Sequence, residues 1–286
     1  MARKRTRKQS AKRNTNTYKI YYWITGIIIF ISLLFFFRTT LTMYYYIIKE
    51  RFEEREYGYQ DLEKMRKEAE VKKIQSVIQR YRGNAFGIDI SQHQGNIIWD
   101  SLNLIKRDLP ISFAFVRATR GAYVQDAFFK KNWKNLEKKN IIRGAYHYYD
   151  VNRNSTEQAK NFISTVTLEK GDLPPVLDVE DLPKNQSLDL LKKGLINWLQ
   201  LIENEYKVKP IIYSNDAYFI HHIADLDLTG YPIWVANYNP RESPIHEKWT
   251  FWQFSEKGII KGIVHNFCDL NVFNGSISEL QELTLQ

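Results

Sequence analysis

Along the chain the pattern of apolar and polar residues changes character three times. From Ile20 to Phe37 no residue is charged, and the runs Ile27-Ile-Ile-Phe-Ile31 and Leu33-Leu-Phe-Phe-Phe37 leave no polar face. At ~1.5 Å rise per residue this run is about 27 Å long as a helix, close to the ~30 Å hydrocarbon core of a bilayer. Arg38 interrupts it, and Thr39 to Ile48 is again uncharged. Aromatic residues mark both edges, Tyr18, Tyr21, Tyr22 and Trp23 on one side and Tyr44 to Tyr46 on the other, as in an interfacial belt. The pattern predicts a transmembrane signal anchor over 20–46. A cleaved signal peptide is the alternative; it needs a shorter apolar core and a small-x-small site, which Thr39-Thr-Leu-Thr-Met43 does not supply.

From Lys49 to Arg82 the chain is densely charged with both signs, and Leu62, Met65, Ala69 and Ile74 form only a thin apolar stripe. Mixed charges at i, i+4 spacing support a solvated helix, so 47–83 reads as a helical linker, ended by Gly83-Asn84. The third regime, 84–286, alternates short β-rich runs with amphipathic stretches. Strands are predicted at Ala85–Ile90, Ile111–Arg117, Ile141–Tyr149, Pro175–Val179, Lys209–Ser214, Tyr231–Ala236, Trp249–Phe254 and Phe267–Asn271. Helices are predicted at about 126–139, 155–168 and 187–205, the last with an apolar face of Leu188, Leu190, Leu191, Leu195, Trp198, Leu199 and Ile202. Strand–helix alternation implies parallel strands with right-handed crossovers. Helical signal thins after residue 222. The expectation is an α/β fold, an irregular TIM-like (β/α) barrel of about eight strands and about five helices, with its chemistry at the C-terminal strand ends.

Charge changes the picture at one end only. The formal net charge of +9 invites a nucleic-acid reading, but residues 1–19 hold eight Lys/Arg and no acid. The remaining 33 basic and 32 acidic residues nearly cancel. The basic block precedes the apolar run, so it reads as a topology signal: tail in the cytoplasm, everything after Ile48 outside, and no nucleic-acid partner. The single cysteine, Cys268, permits no internal disulfide and reads as a small buried strand residue.

Four acids sit at predicted strand ends: Asp89, Asp178, Glu180 and Asp269. A strand alternates faces with period two, so Asp178 and Glu180 point the same way while Leu177 and Val179 point the other. Two carboxylates on one inward face repel, and repulsion plus burial raises at least one pKa, as a general acid near neutral pH requires. Glycoside hydrolysis needs such an acid and a second carboxylate. Helix caps and strand-end turns also use Asp, and for any single Asp that reading stands equally well. No His-x-x-x-His or Cys/His spacing accompanies the acids, so neither a metal nor a cofactor is expected. Tyr146, Tyr148, Tyr149, Tyr213, Trp234, Tyr238 and Trp252 fall near the same ends, as a groove that stacks sugar rings would need.

The segments Gly87-Ile-Asp-Ile-Ser-Gln-His-Gln-Gly95, Gly144-Ala-Tyr-His-Tyr148, Pro175-Val-Leu-Asp-Val-Glu180, Ile211-Ile-Tyr213, Ile233-Trp-Val-Ala-Asn-Tyr238, Phe251-Trp-Gln-Phe254 and Asp269-Leu-Asn271 together resemble glycoside hydrolase family 25, the N-acetylmuramidase lysozymes. The resemblance spans about 85 to 275. It implies cleavage of the β-1,4 bond after N-acetylmuramic acid in peptidoglycan, with Glu180 as general acid. Asp89, Asp178 and Asp269 would line the same cleft, Asp178 or Asp89 assisting the anomeric centre. Tyr146, Tyr148, Tyr213, Trp234, Tyr238 and Gln253 would bind substrate. Tyr-His-Tyr-Tyr after the third strand departs from the commoner family pattern. Two further readings stay open at this point, hydrolysis of another N-acetylated, chitin-like glycan and non-catalytic glycan binding at the envelope.

Overall fold

The structure, a computed structural model, describes residues 21–29, 36–102, 104–106, 109–239, 244, 248–264 and 267–286. The basic tail lies outside them, as do residues 20 and 30–35 of the expected membrane span. Among the described residues no helix is long and apolar enough to cross a membrane. Residues 21–29 are helical with exposed side chains, and a 43-residue helix, α1, runs Arg38–Arg80. The chain divides into two units, 1–68 and 69–286, with the break inside α1. The sequence places the end of the linker at 83, yet the second compact unit begins at Ala69. The reason is packing: Val77 is buried in the core, Ile74 and Ile78 pack against it, and Tyr81 meets Trp249 and Trp252 edge-on at 5.7 and 5.8 Å.

Eight strands close the barrel. They are β1 (Phe86–Ile90), β2 (Phe113–Arg120), β3 (Ile142–Tyr148), β4 (Val176–Asp178), β5 (Ile211–Asn215), β6 (Ile233–Ala236), β7 (Phe251–Gly258) and β8 (Cys268–Phe273). Neighbours pair in chain order, and β1 closes the ring by pairing with both β2 and β8. β1 to β7 are parallel as expected; β8 is antiparallel to both β7 and β1. Three full crossover helices cover one side: α2 (Phe129–Lys138), α3 (Ser155–Thr165) and α4 (Leu188–Tyr206). Asn154 and Ser187 cap α3 and α4 by accepting from the backbone N–H of Glu157 and Leu190. Among the described residues the later crossovers hold only short helical turns at Asp216–Tyr218 and Phe219–Ile223, and α5 (Ile277–Glu282) follows β8.

Period-two alternation sorts each strand. Phe113, Phe115, Val176, Ile211, Trp234, Phe251 and Phe273 fill the barrel interior, while Ala114, Val116, Leu177, Ile212 and Val235 face the outer shell of helices. The interior is crowded. A Cβ on Gly87 would lie 2.5 Å from the Phe113 ring, and one on Gly144 2.5 Å from the Phe115 ring, so both strands carry glycine where those phenyl rings cross the axis. Cys268 is fully buried on β8.

Candidate active site

Above the phenyl layer the inward positions change from apolar to ionisable. On β1, Asp89 stands two residues beyond Gly87; on β4, Asp178 and then Glu180 stand beyond Val176. The antiparallel β8 reverses the order, so Asp269 lies near its start and still reaches the rim where the parallel strands end, in register opposite Asp89. All four acids line one open cavity of about 320 Å³, together with Tyr146, Tyr148, Tyr213, Trp234, Tyr238 and Gln253.

The acids form two pairs. Asp89 is buried, and one of its carboxylate oxygens accepts from Gln253 Nε2 and Asn271 Nδ2, each at 2.8 Å. Burial raises its pKa, and these amide donors, with Asp269, work against the rise by favouring the anion. Its partner Asp269 has its pKa pushed up to about 9, by burial first and then by the charge of Asp89 and a hydrogen bond to it. Of the two, Asp269 is the member pushed to about 9, while the amide donors favour charge on Asp89.

The second pair lacks such donors. Asp178 is buried and its Oδ1 has no hydrogen-bond partner among the described residues. Burial, then the charge of Glu180, raises its pKa well above the carboxylate range, and the nearby Arg117 offsets only part of this. Glu180 is exposed at the cleft, yet burial of its carboxyl raises its pKa too; a hydrogen bond with Asp178 opposes the rise and the charges of Asp89 and Asp181 add to it. The two carboxyls interact directly, and Glu180 is the exposed member that a ligand in the cleft can reach. Arg117 is itself paired to Asp126 through Nε at 3.0 Å.

The Gln253 amide is locked from its other end. Its Oε1 accepts from Tyr213 Oη at 2.8 Å and Tyr238 Oη at 2.5 Å, which orients the NH₂ group toward Asp89. Asn271 Oδ1 likewise accepts from Trp234 Nε1 at 2.9 Å. Trp234, only 2% exposed and stacked on Phe115 at 4.3 Å, is therefore floor rather than a stacking surface. Tyr146 and Tyr213 are buried beside it. Tyr238, 40% exposed, and the half-buried Tyr148, whose hydroxyl donates to Asp181 Oδ2 at 3.0 Å, are the rings open to a ligand.

Two expected cleft aromatics lie elsewhere. Tyr149 and Trp252 are buried in the outer core, Tyr149 near His147 and Trp252 against Tyr81, Trp249 and Phe254. Alternation explains Trp252, since its neighbours Phe251 and Gln253 both face inward. His147 is a core histidine. It is fully buried between Thr119 Oγ1 at 2.7 Å and Gln158 Oε1 at 3.2 Å, and burial drops its pKa to about 4. The cavity also includes Glu256, which no sequence argument singles out. A register shift in β7 between Gln253 and Ser255 breaks the alternation there, so the period-two rule gives no warning of it.

A closed β/α barrel with two carboxyl pairs facing across one cleft defines a glycoside hydrolase by its chemistry. The comparisons agree. The sequence pattern of the glycosyl hydrolases family 25 matches residues 88–263, and the chain belongs to that family. It is 37% identical over 198 residues to YegX of Escherichia coli (strain K12), covering 68% of this chain and 71% of that protein. It is 32% identical over 211 residues to lysozyme M1 of Streptomyces globisporus, covering 69% and 70%. Among solved structures, a family 25 glycosyl hydrolase from Bacillus anthracis superposes with a TM-score of 0.64 at 31% identity, covering 72% of this chain and 95% of that one. A bacterial lysozyme from Streptomyces coelicolor superposes with 0.63 at 29% identity, covering 70% and 97%.

Proposed function

We propose that this glycoside hydrolase is a peptidoglycan muramidase, cleaving the β-1,4 bond between N-acetylmuramic acid and N-acetylglucosamine, with Glu180 as the general acid. The observation that carries this reading is the meeting of four carboxyls in one cleft, Glu180 beside the buried Asp178 and Asp89 held by two amide donors. Glu180, the accessible member, protonates the leaving glycosidic oxygen. Asp89, whose anion Gln253 and Asn271 favour, stabilises the oxocarbenium-like centre as the bond breaks, and water then adds its hydroxyl to the anomeric carbon and returns its proton to the Glu180 carboxylate. Tyr148 and Tyr238 offer ring faces to the sugars. Similarity to lysozyme M1 and to the Streptomyces coelicolor lysozyme supports the choice of peptidoglycan as substrate.

The proposal includes tethering at the cytoplasmic membrane as a single span, N-terminus inside and barrel outside. Its support is the uncharged run Ile20–Phe37 behind eight basic residues in 1–19. The test of activity is digestion of purified peptidoglycan with the full chain, followed by mass spectrometry of the new reducing ends. Muramic-acid ends are expected. Glucosamine ends, or turnover of chitin in preference to peptidoglycan, would reject the bond assigned, and binding without turnover would reject catalysis. Protease protection in intact cells tests the topology; a barrel reachable only from the cytoplasm would reject the tether and the substrate together.

A further inference from the structure

The end of α1 is joined to the cleft by a chain of polar contacts, and the residues that begin it, Glu70 and Lys73, precede the matched family region 88–263. Lys73 is 8% exposed, unusual for an ammonium group and tolerable only with partners. Its Nζ lies 2.9 Å from Glu70 Oε1, which accepts from Ser255 Oγ at 2.6 Å. Ser255 sits on β7 at the register shift beyond Gln253, so the same irregularity that leaves Gln253 facing Asp89 presents Ser255 to the helix. Burial works against the Glu70 carboxylate, but Ser255 and Lys73 more than offset it and leave its pKa lowered. On its other side the Lys73 ammonium stands over the Tyr238 ring, 5.8 Å from the centroid. Tyr238 is the exposed ring of the cleft, and its hydroxyl donates to the Gln253 amide that holds Asp89.

We propose that Lys73, on the helix preceding the barrel, is a positioning residue for the cleft: anchored by Glu70 and Ser255, its ammonium holds the Tyr238 ring in the pose that receives a substrate sugar. The inference rests on the glycan-cleaving reading above. It makes the end of the helix a wall of the substrate site rather than a spacer, so that the segment leading to the barrel and the cleft are one unit. A cation fixed on one face of the ring stiffens it and leaves the opposite face for a sugar.

The test uses the full chain and compares wild type, Lys73→Met, Lys73→Arg, Tyr238→Leu and the double variant Lys73→Met/Tyr238→Leu. Two readouts are taken: kcat and KM on soluble glycan strands, and calorimetric binding of an N-acetylglucosamine–N-acetylmuramic acid tetrasaccharide. Lys73→Met should raise KM and Kd by about five-fold while kcat stays within about two-fold. Lys73→Arg should restore both, since guanidinium keeps the ring contact. In the Tyr238→Leu background the Lys73→Met change should alter neither by more than about two-fold, because the ring is gone. If Lys73→Met does not fold, Glu70→Gln, which loosens the ammonium but can keep the Ser255 contact, should move KM in the same direction. Unchanged KM and Kd, or an equal effect without the Tyr238 ring, would overturn the inference. A wild type that binds the tetrasaccharide with this Lys73 dependence yet releases no reducing ends would overturn the hydrolase reading and leave the inference standing; a wild type that does neither would overturn both.

Discussion

The two carboxyl pairs of the cleft share one cavity and differ in what surrounds them. Asp89 is met by two amide donors at 2.8 Å, each fixed in turn by aromatic hydroxyl or indole donors on the far side of the amide. Asp178 is equally buried, but one of its oxygens has no partner among the described residues and the charge acting on it most strongly is that of another acid, Glu180. The same chemical group thus meets two environments. Hydrogen bonds to the anion oppose the effect of burial at Asp89, whereas at Asp178 burial and the charge of Glu180 push the pKa the same way, well above the carboxylate range. The proposed cleavage draws on this difference, with the acid taken from one pair and the stabilising carboxylate from the other.

The largest break in that contrast comes from removing the transferable proton. Glu180→Gln keeps shape and hydrogen-bonding capacity, so the thermal midpoint should stay within a degree or two, while turnover of peptidoglycan falls by about 10²–10⁴-fold. Reducing-end release at wild-type rate would show that the second pair stores no catalytic proton. A smaller effect is expected from stripping a donor from the first pair. Asn271→Leu removes one hydrogen bond to a buried anion, worth ~1.5–3 kcal/mol, so kcat/KM should drop by about 10- to 100-fold. Asp89 becomes harder to ionise, and the acidic limb of the pH–rate profile should move to higher pH; a limb that stays in place would detach Asp89 from the rate.

The smallest effect sharpens the comparison through stability. Asp269 has its pKa pushed up to about 9 in the fold, against 3.8 for an ordinary aspartate. The folded state therefore binds one proton more than the unfolded chain between those values, and the stability linked to it is full below 3.8 and lost as pH rises toward 9. Wild type should lose stability relative to Asp269→Asn across that window, read from urea melts at acidic, neutral and alkaline pH. Parallel curves for the two proteins would mean that the first pair does not share its proton as described.

Much of this cleft is legible residue by residue. Alternation alone places Asp178 and Glu180 on one inward face, and the apolar runs locate all eight barrel strands. It also carries enough signal to send Trp252 outward, between the inward-facing Phe251 and Gln253. Trp234 marks a different limit. Its inward direction is readable, but whether it stacks on a ligand or serves as floor depends on Phe115 and Asn271, which come from other strands. The end of α1 is the clearest mismatch between local pattern and packing. Its apolar stripe looks too thin to bury, because the rings that Tyr81 packs against, Trp249 and Trp252, come about 170 residues later.

What the chain determines locally, then, is which residues form strands and helices, which face each strand side chain takes, and which acids stand at strand ends, since φ/ψ preference and period-two geometry act over a few residues. The tertiary structure alone decides that β8 runs antiparallel and so sets Asp269 opposite Asp89, that Gln253 and Asn271 supply the donors, and that Lys73 reaches Tyr238. Those relations join residues separated by up to some 180 positions, and their energies come from pairing, burial and shared protons that exist only once the barrel has closed.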